Sequence, residues 1–278
     1  MLSLAAIALN TMREAFAERL VTVLLFLAGL AVLGGWILGR LSIAQTVRIP
    51  VDLGLFTIGT VGGIIAIFLG TSLFHREIDQ GTIDLIFTKP LPRWHLIAGK
   101  FLGLAACLAL ATSLMGVFLC LVVHFLLPDQ IAAHLLFKAV FYSLVLIYVE
   151  ELLVLALALF FSTFNSPLSS VLFALCFWAI AHCSSAMLGL SQMSNSSAAT
   201  AITQAVYLVL PDLSAFSRAQ EELMRAYELA RHAQLEGVVL SLPPSTGPAL
   251  PMVLTYIFGY ILLLLSAGTY IVERREFN

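Results

Sequence analysis

The sequence predicts an all-α polytopic membrane protein with six transmembrane helices. Hydrophobic residues make up 60% of the 278-residue chain and charged residues only 11%, whereas a soluble domain contains about 25% charged residues. The apolar residues are also concentrated in long runs of roughly 20 residues, the length of helix that crosses a bilayer. These two observations exclude a soluble globular fold and predict a single transmembrane domain over residues 1–278.

Charged or helix-breaking residues separate the predicted spans. The runs are Leu20–Gly39, Leu53–Phe74, Phe101–Pro128, Ala139–Phe164, Leu168–Leu190 and Pro251–Val272. Six crossings place both termini on one side of the membrane. With cytoplasmic termini, eight Lys and Arg residues face inward and three lie in the short outer loops, an asymmetry that favours this orientation. Counting the long last loop narrows the ratio to eight against six.

Residues 1–19 are predicted to form an amphipathic helix on the inner leaflet, ahead of the first span. Apolar side chains recur there at steps of three and four residues, while charged ones occupy the other faces. The apolar stripe consists of Leu2, Ala5, Leu9, Met12 and Phe16.

Residues 191–250 are predicted to form an outer-face segment with a helix of its own. Residues 217–220 resemble a capping box, Glu221 stands four residues before Arg225, and Gly237 can end the helix. This segment is expected to cover the span ends or to gate a substrate, and it leaves room for an outer-face partner.

The charged inner loop, residues 75–100, is predicted to carry a short helix held off the membrane. Gly81 is expected to interrupt the helix that continues from the second span, Thr82 to cap a new helix, and Pro90 to end it. A helix between two such breaks can insert into a groove on a partner protein. Its apolar contacts would be Ile83, Ile86 and Phe87.

The same loop carries a resemblance to a known family. Glu77, Gly81-Thr82, Pro90, Arg93 and Gly99-Lys100 resemble the E-x-x-x-G-T…P-x-x-R…G-K pattern of ABC transporter permeases of the type-2 exporter class. The resemblance implies a dimerising six-span subunit of the inner membrane, coupled to a separate cytosolic ATPase. By this resemblance Glu77, Gly81 and Thr82 would lie at the ATPase contact. Together with the residues of the loop helix and its flanks, the predicted ATPase-coupling set is Glu77, Gly81, Thr82, Ile83, Ile86, Phe87, Pro90, Arg93 and Lys100.

Catalysis is not expected in this chain. The phosphate-binding pattern G-x-x-x-x-G-K-[ST] does not occur, so ATP and magnesium are expected on the partner ATPase rather than here. The four cysteines lie in apolar runs without metal-ligand spacing, which favours packing roles. The net charge of −2 gives no sign of nucleic-acid binding.

Glu150 and Glu151 form an unusual pair near the middle of the fourth span. Each charge there costs about 2.5–3.5 kcal/mol on insertion scales, so at least one is expected to be protonated or hydrogen-bonded within the bundle. They either lie on the transport path or dimer seam, or are satisfied by Ser, Thr, Tyr or Asn groups that fix packing. His182, near an outer span end, is expected to be an interfacial hydrogen-bonding residue.

A proton-coupled secondary transporter that uses Glu150 or Glu151 is the alternative to an ATP-driven exporter. Gly62-Gly63 is expected to loosen the second span, but no pair of interrupted spans indicates the inverted repeat that such transporters often have. An intramembrane enzyme is disfavoured because no nucleophile, base or metal set is evident.

Overall fold

A computed structural model describes residues 2–41, 47–79, 94–126, 130–193, 213, 221, 224, 225 and 250–274. Over this part of the chain it contains seven helices and no strand, which confirms the all-α prediction. The helices are α1 (Leu2–Ala17), α2 (Arg19–Leu41), α3 (Arg48–Asp79), α4 (Trp94–Leu126), α5 (Gln130–Ser162), α6 (Pro167–Met193) and α7 (Leu250–Arg274).

Five of the described helices are long and apolar enough to cross a membrane. The candidate spans are Arg19–Leu41, Arg48–Ser72, Ile97–Leu126, Leu136–Ser162 and Leu254–Ile271. The apolar part of α6, Pro167–Cys183, is shorter than these. A crossing by α6, and with it the total of six spans, therefore stays a prediction.

Helix α5 is the central element of the bundle. It packs against α3, α4, α6 and α7, and every side chain from Leu153 to Leu159 is buried. Protein therefore surrounds this stretch of the helix on every side. Because the backbone N–H groups inside a helix are already bonded to its own carbonyls, a buried carboxyl group on α5 needs a donor from a neighbouring helix.

Helices α3 and α5 run parallel and close together. A Cβ built on Gly59 would lie 3.9 Å from Ile147, and one built on Gly70 would lie 2.8 Å from Ala158. The step from Gly59 to Gly70 along α3 equals the step from Ile147 to Ala158 along α5. The two helices therefore run in the same direction with a constant register. Small residues permit this approach of helix backbones, which is common within membranes.

Helix α1 packs against the first turns of α4. Its protein-facing side holds Thr11 and Ala15, both buried, whereas Leu9 and Phe16 of the predicted apolar stripe are 49% and 40% exposed. The helix itself is therefore present, with two members of its stripe free to face lipid. Its location on the inner leaflet stays a prediction.

The break between α5 and α6 lies where the sequence predicts it. Helix α5 ends at Ser162 and α6 begins at Pro167, a position where proline's missing N–H costs nothing. The Ser170 hydroxyl donates to the Phe161 carbonyl at 3.1 Å and ties the two helices together across the turn.

Most of the predicted outer-face segment lies outside the described residues. Within it, Glu221 and Arg225 are helical and form the expected i,i+4 contact, with 3.3 Å between Oε2 and Nη2. Leu213 and Met224 are buried against the bundle.

Replacement of Gly103 by alanine should destabilise the fold. A Cβ at this position would overlap the Ala8 carbonyl and lie 2.9 Å from Thr11 Cβ, so α1 must shift away from α4. Overpacking of this kind costs roughly 1–3 kcal/mol, which a thermal unfolding midpoint in detergent would register. Gly259→Ala is the control, since nothing lies within 4 Å of its added Cβ. Equal midpoints for the two variants would contradict the close α1–α4 contact.

Candidate functional site

The two adjacent carboxyl groups of α5 are both buried in the bundle. Glu150 is 8% exposed and Glu151 is 1% exposed. Successive residues of an α-helix point about 100° apart, so the two side chains meet different neighbouring helices.

Glu151 faces α3 and α4. The Thr112 hydroxyl of α4 donates a hydrogen bond of 2.6 Å to Glu151 Oε2. The other oxygen, Oε1, is buried and has no hydrogen-bond partner among the described residues. It lies directly over Gly62 of α3, where an added Cβ would overlap the carboxyl group. Only glycine leaves room for Glu151 at this point.

Glu150 faces α6. The Trp178 indole N–H donates to Glu150 Oε1 at 3.4 Å, and His182 Nε2 lies 3.2 Å from the same oxygen. His182 Nδ1 lies 3.3 Å from the Trp178 carbonyl. A carbonyl only accepts, so Nδ1 must carry a proton for this contact to be a hydrogen bond. If the contact between Nε2 and Oε1 is a hydrogen bond as well, one further proton lies between these two atoms, and the pair then has zero net charge whichever of them holds it.

Gly63 leaves room for the Trp178 ring, as Gly62 leaves room for the Glu151 carboxyl group. A Cβ added at Gly63 would lie 2.9 Å from the Trp178 ring. Helix α3 is continuous through both glycines, so the expectation that they loosen the span is wrong. Because neither glycine has a side chain, Glu151 and Trp178 pack directly against the backbone of α3 at these two positions.

The polar cluster packs against Gly62 and Gly63 of α3. It consists of Thr112, Glu150, Glu151, Trp178 and His182. It joins α4, α5 and α6 through side-chain contacts and α3 through close packing. Chemically, it can hold a proton between Glu150 and His182. It can also hold the helices in register, since the Thr112–Glu151 and Trp178–Glu150 hydrogen bonds each join two different helices.

The sequence singled out Glu150, Glu151 and His182, and the structure brings all three together. The packing hypothesis expected hydroxyl or amide partners, and Thr112 is such a partner. Trp178 was not anticipated, although its position four residues before His182 places both on one face of α6.

Two of the predicted ATPase-coupling residues are described, and both lie on helices of the cluster but several turns away from it. Glu77 belongs to the last turns of α3, and Lys100 lies in α4, 1% exposed. The remaining predicted contacts lie outside the described residues. They are Gly81, Thr82, Ile83, Ile86, Phe87, Pro90 and Arg93.

Removal of the Thr112 hydroxyl should destabilise the protein. Thr112→Val keeps the shape but leaves Glu151 Oε2 without its donor, at a cost of about 1–3 kcal/mol. Unfolding in mixed detergent micelles measures this difference. The matched control is Thr57→Val, because the Thr57 hydroxyl bonds to the Leu53 carbonyl of its own helix at 2.7 Å.

A second substitution tests whether the loss comes from the hydrogen bond. When both partners become apolar, no buried group is left without a partner. The double variant Thr112→Val/Glu151→Leu should therefore lose less stability than the two single variants combined. Strict additivity would show that the two side chains do not interact.

Comparison with known proteins places the chain in a family. No curated protein gives a significant match. A family model described as ABC-2 family transporter protein matches residues 3–277, nearly the whole chain. This match confirms the family that the sequence resembles, and that family is a component of membrane transport that is not itself catalytic. The chain therefore belongs to the ABC-2 transporter family and is an ABC permease subunit.

Proposed function

We propose that the chain forms the translocation path of an ATP-driven exporter, coupled to a separate cytosolic ATPase through residues 75–100. The family match over residues 3–277 carries this proposal. The absence of a phosphate-binding loop supports it, since ATP and magnesium then bind to the partner. We further propose a dimeric, six-span subunit in the inner membrane, with both termini cytoplasmic.

The packing of α3 and α4 supports the proposed coupling. These helices flank residues 80–93, and both contact α5. Helix α3 carries Gly62 and α4 carries Thr112, the two residues that hold Glu151. From Asp79 to Gly62 is about 26 Å along a continuous helix. A displacement of the inner loop would thus reach the polar cluster through two rigid elements.

Helix α1 provides a second contact with α4. It packs along the same end of α4 that follows the inner loop, with Gly103 against Ala8 and Thr11. The burial of Lys100 in this region suits a residue that anchors α4 in the bundle. The proposed contribution of Lys100 to coupling is therefore indirect, because Lys100 would act by fixing the position of α4.

Substitution of Glu77 should uncouple ATP hydrolysis from transport. The full chain is co-expressed with a candidate ATPase, and the complex is purified and reconstituted. Glu77→Ala is expected to lower transport per ATP hydrolysed, because the proposed ATPase contact is lost at the inner end of α3. Asp52→Ala is the control, since Asp52 is exposed at the opposite end of the same helix. Equal coupling in both variants would contradict the proposed contact.

A proton-coupled mechanism is the second candidate. The observation that favours it is the buried Glu151 Oε1, which has no hydrogen-bond partner among the described residues. A carboxyl group in this setting is a default candidate for a functional role.

The double variant Glu150→Gln/Glu151→Gln separates the two candidates. It keeps the size of both side chains but removes their ability to exchange protons. Under the exporter proposal, ATP-driven transport by the reconstituted complex should fall by no more than a few-fold. Uphill transport driven by a proton gradient without ATP, and abolished in this variant, would select the proton-coupled mechanism instead.

A further inference from the structure

A cleft of about 560 Å³ lies between α4 and α5. It extends along α4 from Ala109 to His124 and along α5 from Phe137 to Tyr148. Fifteen residues of helix measure about 22 Å, so the cleft is long relative to its volume. Both stretches lie within candidate spans, so the cleft lies along residues that are apolar and long enough to cross a membrane.

Small side chains on one face of α4 create this cleft. They are Ala109, Thr112, Ser113, Gly116 and Cys120. Larger apolar side chains, among them Val117 and Phe141, are exposed along its edges. The two helices remain in contact within it, since a Cβ added at Gly116 would lie only 2.6 Å from the Leu144 side chain, and the Tyr148 hydroxyl donates to the Ala105 carbonyl at 3.1 Å beyond one end. The cleft is therefore a slot with a floor rather than a gap through the bundle.

The slot is too narrow to enclose a helix. A volume of about 560 Å³ over a length of about 22 Å gives a mean cross-section of only about 25 Å², whereas a helix about 10–12 Å wide has one of about 80 Å² or more, so a helix could lie over the slot but not within it. Water is a poor occupant too, because a buried water needs two to four polar partners. Thr112 and Tyr148 line the slot, but their hydroxyl groups already donate to Glu151 and Ala105. A single hydrocarbon chain matches both the shape and the chemistry.

One end of the slot has a polar group at the level of the membrane interface. His124 is exposed two residues before α4 ends at Leu126, and its ring centroid lies 6.4 Å from that of Phe137. An imidazole N–H at this level can donate a hydrogen bond to a phosphate oxygen. The slot thus has a donor at its interfacial end and an apolar lining toward the middle of the membrane.

We propose that this cleft binds one acyl chain of a phospholipid, with the phosphate at His124 and the chain end over Thr112. The bound chain would cover the hydroxyl that holds Glu151 and keep water from this hydrogen bond. The site is independent of the proposed ATPase contact, so either proposal can fail without the other.

Native mass spectrometry of the full chain tests this proposal. The protein is reconstituted in nanodiscs with equal amounts of phosphatidylglycerol and a diacyl glycolipid that lacks phosphate, then released and weighed. Wild type should retain phosphatidylglycerol. Ser113→Phe should lose most of the retained lipid, because the ring fills the slot from an exposed position. Leu110→Phe should behave as wild type, since Leu110 is exposed on α4 but does not line the slot.

His124→Leu provides an independent measure at the other end of the slot. This variant should still retain a lipid but lose the preference for phosphatidylglycerol several-fold. Equal lipid retention by Ser113→Phe and Leu110→Phe would overturn the proposal. So would a wild-type dimer without bound lipid that Ser113→Phe converts to monomers, since a second copy of the chain would then cover the cleft.

Discussion

The burial of two adjacent carboxyl groups in one central helix is the constraint on which the rest of the bundle depends. An unsatisfied charge near mid-membrane costs about 2.5–3.5 kcal/mol on insertion scales, yet Glu151 is 1% exposed. The bundle offsets this cost by bringing a hydroxyl group from α4, and an indole and an imidazole from α6, against α5. Since the two carboxyl groups point in different directions, α5 must lie between these helices.

The glycines of α3 complete the arrangement. Lipid is as apolar as the side chains it surrounds, so membrane helices associate through close packing and a few hydrogen bonds. Gly62 and Gly63 allow α3 to approach α5 and α6 more closely than any other residue would. The same helix continues to Asp79 and leads into the inner loop. The continuous helix α3 thus connects the polar cluster to the proposed coupling loop.

The candidate site could be predicted in part. Glu150 and Glu151 were evident because charge inside an apolar run is rare, and His182 because it is a polar residue near the end of a predicted span. Thr112 and Trp178 were not, since threonine and tryptophan are ordinary in spans. Their partners lie 39 and 28 residues away in sequence. The glycine pair was noticed but misinterpreted, because a sequence does not show what large group occupies the space above a glycine.

The sequence by itself determined the helical class, the positions of the apolar segments, the break before Pro167 and the family. These follow from local properties, because a backbone in hydrocarbon must satisfy its own hydrogen bonds and only a helix does so within one segment. The tertiary structure alone decided that α5 is central, that Glu150 pairs with α6 and that Glu151 pairs with α4 over Gly62. These contacts depend on which helix faces meet. In a uniformly apolar bundle, a few polar and glycine residues that are distant in sequence determine which faces meet, and no local pattern does.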